Sequence, residues 1–199
     1  MVTRTHRTAT LALLGALATA CREKQATQLL VVVGTDIAVG EAQLERVEVE
    51  VYDGAGTTLR GQRSVFVSRT PTPPTTVAIP FSFGVVPADD DPERTVQVLV
   101  RGRFRESGLR ARGVLRAITG FVEDRKLLLP MFLQQRCVDH AQCADGLTCI
   151  DGVCQSAVRR PDSLPSLPES PFNPTQAFDG GATTPPADTG PMDAGPMDA

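Results

Sequence analysis

Apolar residues recur at every second position over several stretches of this chain, which is the period of a half-buried β-strand. The segment 44–52 shows it most cleanly: Val47, Val49 and Val51 fall on one side, and Arg46, Glu48 and Glu50 on the other. Val96, Val98 and Val100 alternate with Gln97, Leu99 and Arg101, while Val77, Ile79 and Phe81 form a further alternating set. The apolar runs 29–33, 65–67, 114–118 and 127–133 complete about seven predicted strands, and no segment carries a strong helical period. Turn chemistry separates them. Asp53-Gly54-Ala55-Gly56 reads as a tight turn, and Thr70-Pro71-Thr72-Pro73-Pro74 as a loop whose prolines cannot donate to a ladder. Asp89-Asp90-Asp91-Pro92 is another loop, and Gly108 is placed to turn a hairpin joining 94–104 to 109–121. Many short strands with regularly spaced turns predict an all-β domain over 28–136, an immunoglobulin-like or transthyretin-like β-sandwich.

The N-terminus follows a different pattern. Residues 1–7 carry Arg4 and Arg7 and no acid, and residues 10–20 are eleven small and apolar residues. A membrane-spanning helix needs roughly 20 apolar residues, so this run is too short to span and reads instead as a signal peptide over 1–20. It ends Leu17-Ala18-Thr19-Ala20-Cys21. That ending resembles the lipobox of bacterial lipoprotein precursors. The resemblance implies that Cys21 is acylated, becomes the first residue of the mature chain and tethers it to a membrane through a linker, 21–27. Leu17 lies one place further from the cysteine than the lipobox leucine, and Ala18 takes that leucine's place. Ala18-Thr19-Ala20 also fits ordinary secretory cleavage, so a soluble secreted protein with a free Cys21 is the competing reading. The cysteine count bears on the choice: there are five, and an odd cysteine in an exported chain requires an explanation that lipidation supplies. No aspartate follows Cys21, which under the enteric sorting rule places the protein in the outer membrane, facing the periplasm or the cell surface.

The other four cysteines, Cys137, Cys143, Cys149 and Cys154, fall within eighteen residues. A segment this short cannot bury a sufficient core, so cross-links are expected to hold it. Of the three possible pairings, Cys137–Cys149 with Cys143–Cys154 is favoured because interleaving fixes both loops. Zinc, with His140 as helper, is the alternative, but Cys137-x5-Cys143 and Cys143-x5-Cys149 are wider than the usual paired-ligand spacing of zinc sites and Cys149-x4-Cys154 is at its upper limit. The run Cys-x5-Cys-Ala-Asp-Gly-Leu-Thr-Cys-Ile-Asp-Gly-Val-Cys resembles the small cysteine-rich, Dickkopf-like modules found on surface proteins of myxobacteria and their relatives. This implies a myxobacterial-type lipoprotein carrying an exported disulfide module at 137–154.

Charge is unevenly distributed. Residues 21–136 hold 16 basic and 14 acidic side chains, whereas 137–199 hold 2 and 9. Nine of the forty-five residues in 155–199 are proline, which predicts an extended, disordered acidic tail there. Arg101, Arg103 and Arg105 share one face of a predicted strand, with Arg110, Arg112 and Arg116 on its partner. Two readings stand for this stripe: a patch for anionic polymers such as envelope polysaccharide, or a solvent face cross-paired with Glu48 and Glu50. Asp89, Asp90, Asp91 and Glu93 lack the glycine-punctuated spacing of a calcium loop and read as a solvated turn. No nucleophile, zinc-protease or phosphate-loop motif is present, and neither a cofactor nor a metal is expected. Nucleic acid is not an expected partner of an exported chain without interleaved aromatics. The sequence thus points to an envelope lipoprotein acting as a non-catalytic binding, adhesion or scaffolding module. A carboxylate-dependent envelope hydrolase and an accessory subunit of a surface complex are the alternatives.

Overall fold

The structure is a computed structural model, and it describes residues 26–39, 43–68, 70–71, 76–104, 111–138, 143–167 and 172–179. Cys21, the leader, Arg105, Arg110, His140 and residues 180–199 lie outside the described residues.

The alternating segments form two sheets packed face to face. One has five strands, in the order β4 (Thr76–Val77), β3 (Leu59–Val67), β2 (Leu44–Asp53), β6 (Val96–Phe104) and β7 (Ala111–Thr119). The other has three, in the order β5 (Phe81–Val85), β1 (Gln28–Thr35) and β8 (Lys126–Leu133). β1 runs parallel to β8 and antiparallel to β5. The first strand thus pairs with the fifth and the eighth, and the domain is an all-β sandwich.

The core lies between the sheets, where the period-two pattern places it. Val47, Val49, Val98, Val100, Leu115 and Ala117 of the larger sheet face Leu29, Val31, Val33, Leu127, Leu129 and Met131 of the smaller one. The predicted hairpin partners do pair, with Arg101 opposite Val114 and Leu99 opposite Arg116. The set Val77, Ile79, Phe81 is divided between two strands: Val77 ends β4 in one sheet, Phe81 opens β5 in the other, and a cis Ile79–Pro80 peptide lies between.

The disulfide-rich region forms a two-stranded hairpin, β9 (Leu147–Ile150) and β10 (Val153–Ser156), held by Cys137–Cys149 and Cys143–Cys154. Asp151 and Gly152 make its turn, both at positive φ. The expectation of a disordered tail from 155 does not hold over its first part. Residues 157–167 lie along the sandwich, with Ala157 and Leu164 buried. Proline-rich chain orders here because its backbone groups find partners on strand edges. The Ile118 N–H donates to the Ala157 carbonyl and the Arg159 N–H to the Ile118 carbonyl, both at 2.8 Å. Further along, the Leu128 N–H donates to Pro165 and the Leu167 N–H to Lys126, again at 2.8 Å. A last described piece, 172–179, contains a short helix, α1 (Gln176–Asp179). Phe178 stacks on Phe132 at 5.1 Å and rests on Gly34, where any Cβ would collide with its ring.

Candidate functional site

The arginine stripe is built by β2 and β6. Their register sets Glu48 opposite Arg101 and Glu50 opposite Leu99 on the outer face of the larger sheet. The long side chains reach diagonally: Arg101 Nη1 meets Glu50 Oε1 at 2.5 Å, and Arg103 Nη2 meets Glu48 Oε2 at 2.6 Å. The Tyr52 hydroxyl donates to the second Glu50 oxygen at 2.7 Å. Burial alone would raise the Glu50 pKa. The hydrogen bonds from Tyr52 and Arg101, with the charges of Arg101 and Arg103, outweigh it and leave the carboxyl below its usual range. The hydrogen bond to Glu50 raises the Tyr52 phenol in turn. Arg46 lies over the Phe66 ring, 4.3 Å from its centroid. The face is therefore a lattice of matched charges, and Arg101 and Arg103 are committed to it. This weakens the expectation of an anionic-polymer patch at Arg101, Arg103 and Arg105, since two of those guanidiniums already have carboxylate partners. Arg116 is drawn away too, with its Nη1 3.2 Å from Asp145 of the disulfide hairpin.

The acidic turn is likewise internally satisfied. Arg94 pairs with Asp89 at 3.0 Å and with Asp91 at 3.3 Å. Among the described residues, no three His, Cys, Asp or Glu side chains are grouped to hold a metal ion.

A different pair of arginines has no partner among the described residues. The larger sheet is two strands wider than the smaller, so β3 overhangs beyond β5. Val65 and Val67 are covered, but Leu59–Ser64 are exposed throughout. Register places Arg63 opposite Val49 and Gly61 opposite Val51, on the inner face of the sheet. The overhang and the β5 edge flank an open cleft of about 290 Å³. Val49, Val51, Phe83, Val85 and Val86 supply its apolar lining, and Arg60 and Arg63 its charge. Among the described residues neither arginine has a hydrogen-bond or ion-pair partner, and a Cβ at Gly61 would meet nothing within 4 Å.

No protein family, curated protein or solved structure matches this chain. The site therefore has to be read from its own geometry. Sequence reasoning missed Arg60, Gly61 and Arg63 because Leu59-Arg60-Gly61-Gln62-Arg63-Ser64 has no apolar alternation. The available signal was the turn before it, since a tight turn after β2 implies a return strand of similar length.

Proposed function

We propose that the protein is an envelope lipoprotein, tethered through acylated Cys21, that presents its sandwich and disulfide hairpin as a non-catalytic binding, adhesion or scaffolding module. The carrying observation is the cysteine pairing. Four of the five cysteines are joined to one another, which leaves Cys21, at the lipobox-like end of the leader, as the odd sulfur. Two or three acyl chains on that residue give stable membrane attachment, where a single chain is marginal. The non-catalytic reading is supported by Glu50. A general acid needs a raised pKa, whereas this partly buried carboxylate is held ionised by Tyr52, Arg101 and Arg103. The module's partners, on this reading, are the membrane through the anchor and an envelope polymer or protein. Metabolic labelling with a radioactive fatty acid tests the anchor: label is expected on the natural chain and absent from Cys21→Ser. Label that persists in Cys21→Ser contradicts the assignment.

A further inference from the structure

The cleft beneath the β3 overhang has the chemistry of an amphiphile site. Its floor is apolar and continuous with the core through Val49 and Val51. Its rim carries two cations that have no partner among the described residues, and its volume of about 290 Å³ is near the small end of ligand sites, which begin at roughly 300 Å³. The interior position that a side chain would ordinarily fill is Gly61, where there is open space. Desolvating the floor with an aliphatic chain gains ~25 cal/mol per Å² of apolar surface, and two guanidiniums suit a carboxylate or phosphate oxygen pair.

We propose that this mouth binds an amphipathic anion, with a carboxylate or phosphate head at Arg60 and Arg63 and an aliphatic chain over Val49, Val51, Phe83 and Val85. The proposal rests on the reading of the chain as a binding module and names its ligand class. That chemistry has two sources, a free fatty acid or an anionic lipid of the bilayer. The second is within reach. β1 lies beside β5, with Leu29 opposite Val85, and the chain leading back from it is held on its other side, where the Gln28 N–H donates to the Arg125 carbonyl and the Asp124 N–H to Thr27 Oγ1. Six residues separate Gln28 from Cys21, so a fully extended chain puts the anchor at most about 25 Å from β1.

The edge position suggests a plainer role for the arginines. Inward-pointing charges on an edge strand discourage pairing with other chains. The two roles separate experimentally. The full chain carrying Cys21→Ser is titrated with dodecanoate in membrane-free buffer by calorimetry, and in parallel is sedimented with vesicles containing anionic phospholipid. The expected result is saturable binding of one dodecanoate per chain. Affinity falls at least tenfold in Arg60→Ala/Arg63→Ala and in Gly61→Leu, and is retained in Arg60→Lys/Arg63→Lys. Vesicle recruitment that dodecanoate displaces assigns the bilayer lipid as the source, and dodecanoate binding without recruitment assigns the free acid. Absence of saturable binding in both arms overturns the proposal, as does equal affinity in natural and Gly61→Leu chains of unchanged circular dichroism. Self-association of Arg60→Ala/Arg63→Ala with unaltered dodecanoate affinity also overturns it, and gives the arginines to edge protection. A failure here leaves the anchor at Cys21 standing, because fatty-acid labelling tests that separately.

Discussion

The two long sides of the sandwich are finished in opposite ways. On the β7–β8 side both sheet edges are covered. The Arg116 N–H donates to Thr148 Oγ1 at 2.9 Å, Ile118 exchanges hydrogen bonds with Ala157 and Arg159, and the segment 165–167 lies along β8. On the β3–β5 side the edges are left open over Leu59–Ser64, and two arginines without a partner among the described residues line the gap. An unprotected strand edge is a liability that folds ordinarily remove. The disulfide hairpin and the strap after it remove it on one side only. The hairpin is thus a clasp for the sandwich as well as a module in its own right, and the untreated side is the one with room for a ligand.

The clasp should dominate stability. Removing Cys137–Cys149, which closes a loop of 12 residues, by Cys137→Ser/Cys149→Ser is expected to cost about 3 kcal/mol in denaturant unfolding of the whole domain. A loss confined to the hairpin, with the sandwich midpoint unchanged, would make the module an appendage. Leu164 anchors the strap and is buried in the common core, so Leu164→Ala is expected to cost about 2 kcal/mol in the same assay. A change near zero would detach the strap from the core.

The outer face of the larger sheet contributes less. A double-mutant cycle on Glu50 and Arg101, whose side chains are 12% and 28% exposed, should return about 1 kcal/mol of coupling. Its pH dependence has a fixed sign. The folded Glu50 pKa is depressed below the ordinary 4.5, so the pair contributes fully above that value and is lost as pH falls through the lower, folded one. Coupling that vanishes already at pH 5 contradicts the geometry. The smallest effect is at the β2–β3 turn. There the Thr58 hydroxyl and the Thr57 and Thr58 N–H groups hold the exposed Asp53 carboxyl down to about 2. A carbon-detected NMR titration should place its midpoint there, and a midpoint near 3.8 would mean that the turn is not formed. The turn's contribution is present above that ordinary value and disappears as pH falls through about 2.

The strands, faces and core that the two sides share were legible in the sequence, and the difference between the sides was not. The alternating valines of β2 and β6 gave strands, faces and core, because a sheet with one buried face has only one acceptable register. The Glu48 and Glu50 pairing with the stripe followed from the same register. The cysteine pairing was one of three that the sequence allows, favoured because interleaving fixes both loops. The strap was not legible: its order comes from hydrogen bonds to strands distant in sequence, and its composition matches chain that has no such partners. Nor was the mouth, because it arises from unequal sheet widths, and strand order is not written in any local pattern. Which carboxylate each arginine meets was not legible, because the side chains reach diagonally, Arg101 to Glu50 and Arg103 to Glu48.

Amide hydrogen exchange of the full chain, with and without dodecanoate, tests the central contrast most directly. The account predicts slow exchange at Arg116, Ile118 and Leu128 in both states. It predicts fast exchange at the outward amides of Leu59–Ser64 and Phe81–Val85 in the free chain, slowing there alone when the ligand is added. Rapid exchange at Arg116, Ile118 and Leu128 in the free chain, or ligand-induced slowing along β7 and β8 in place of β3 and β5, would contradict it.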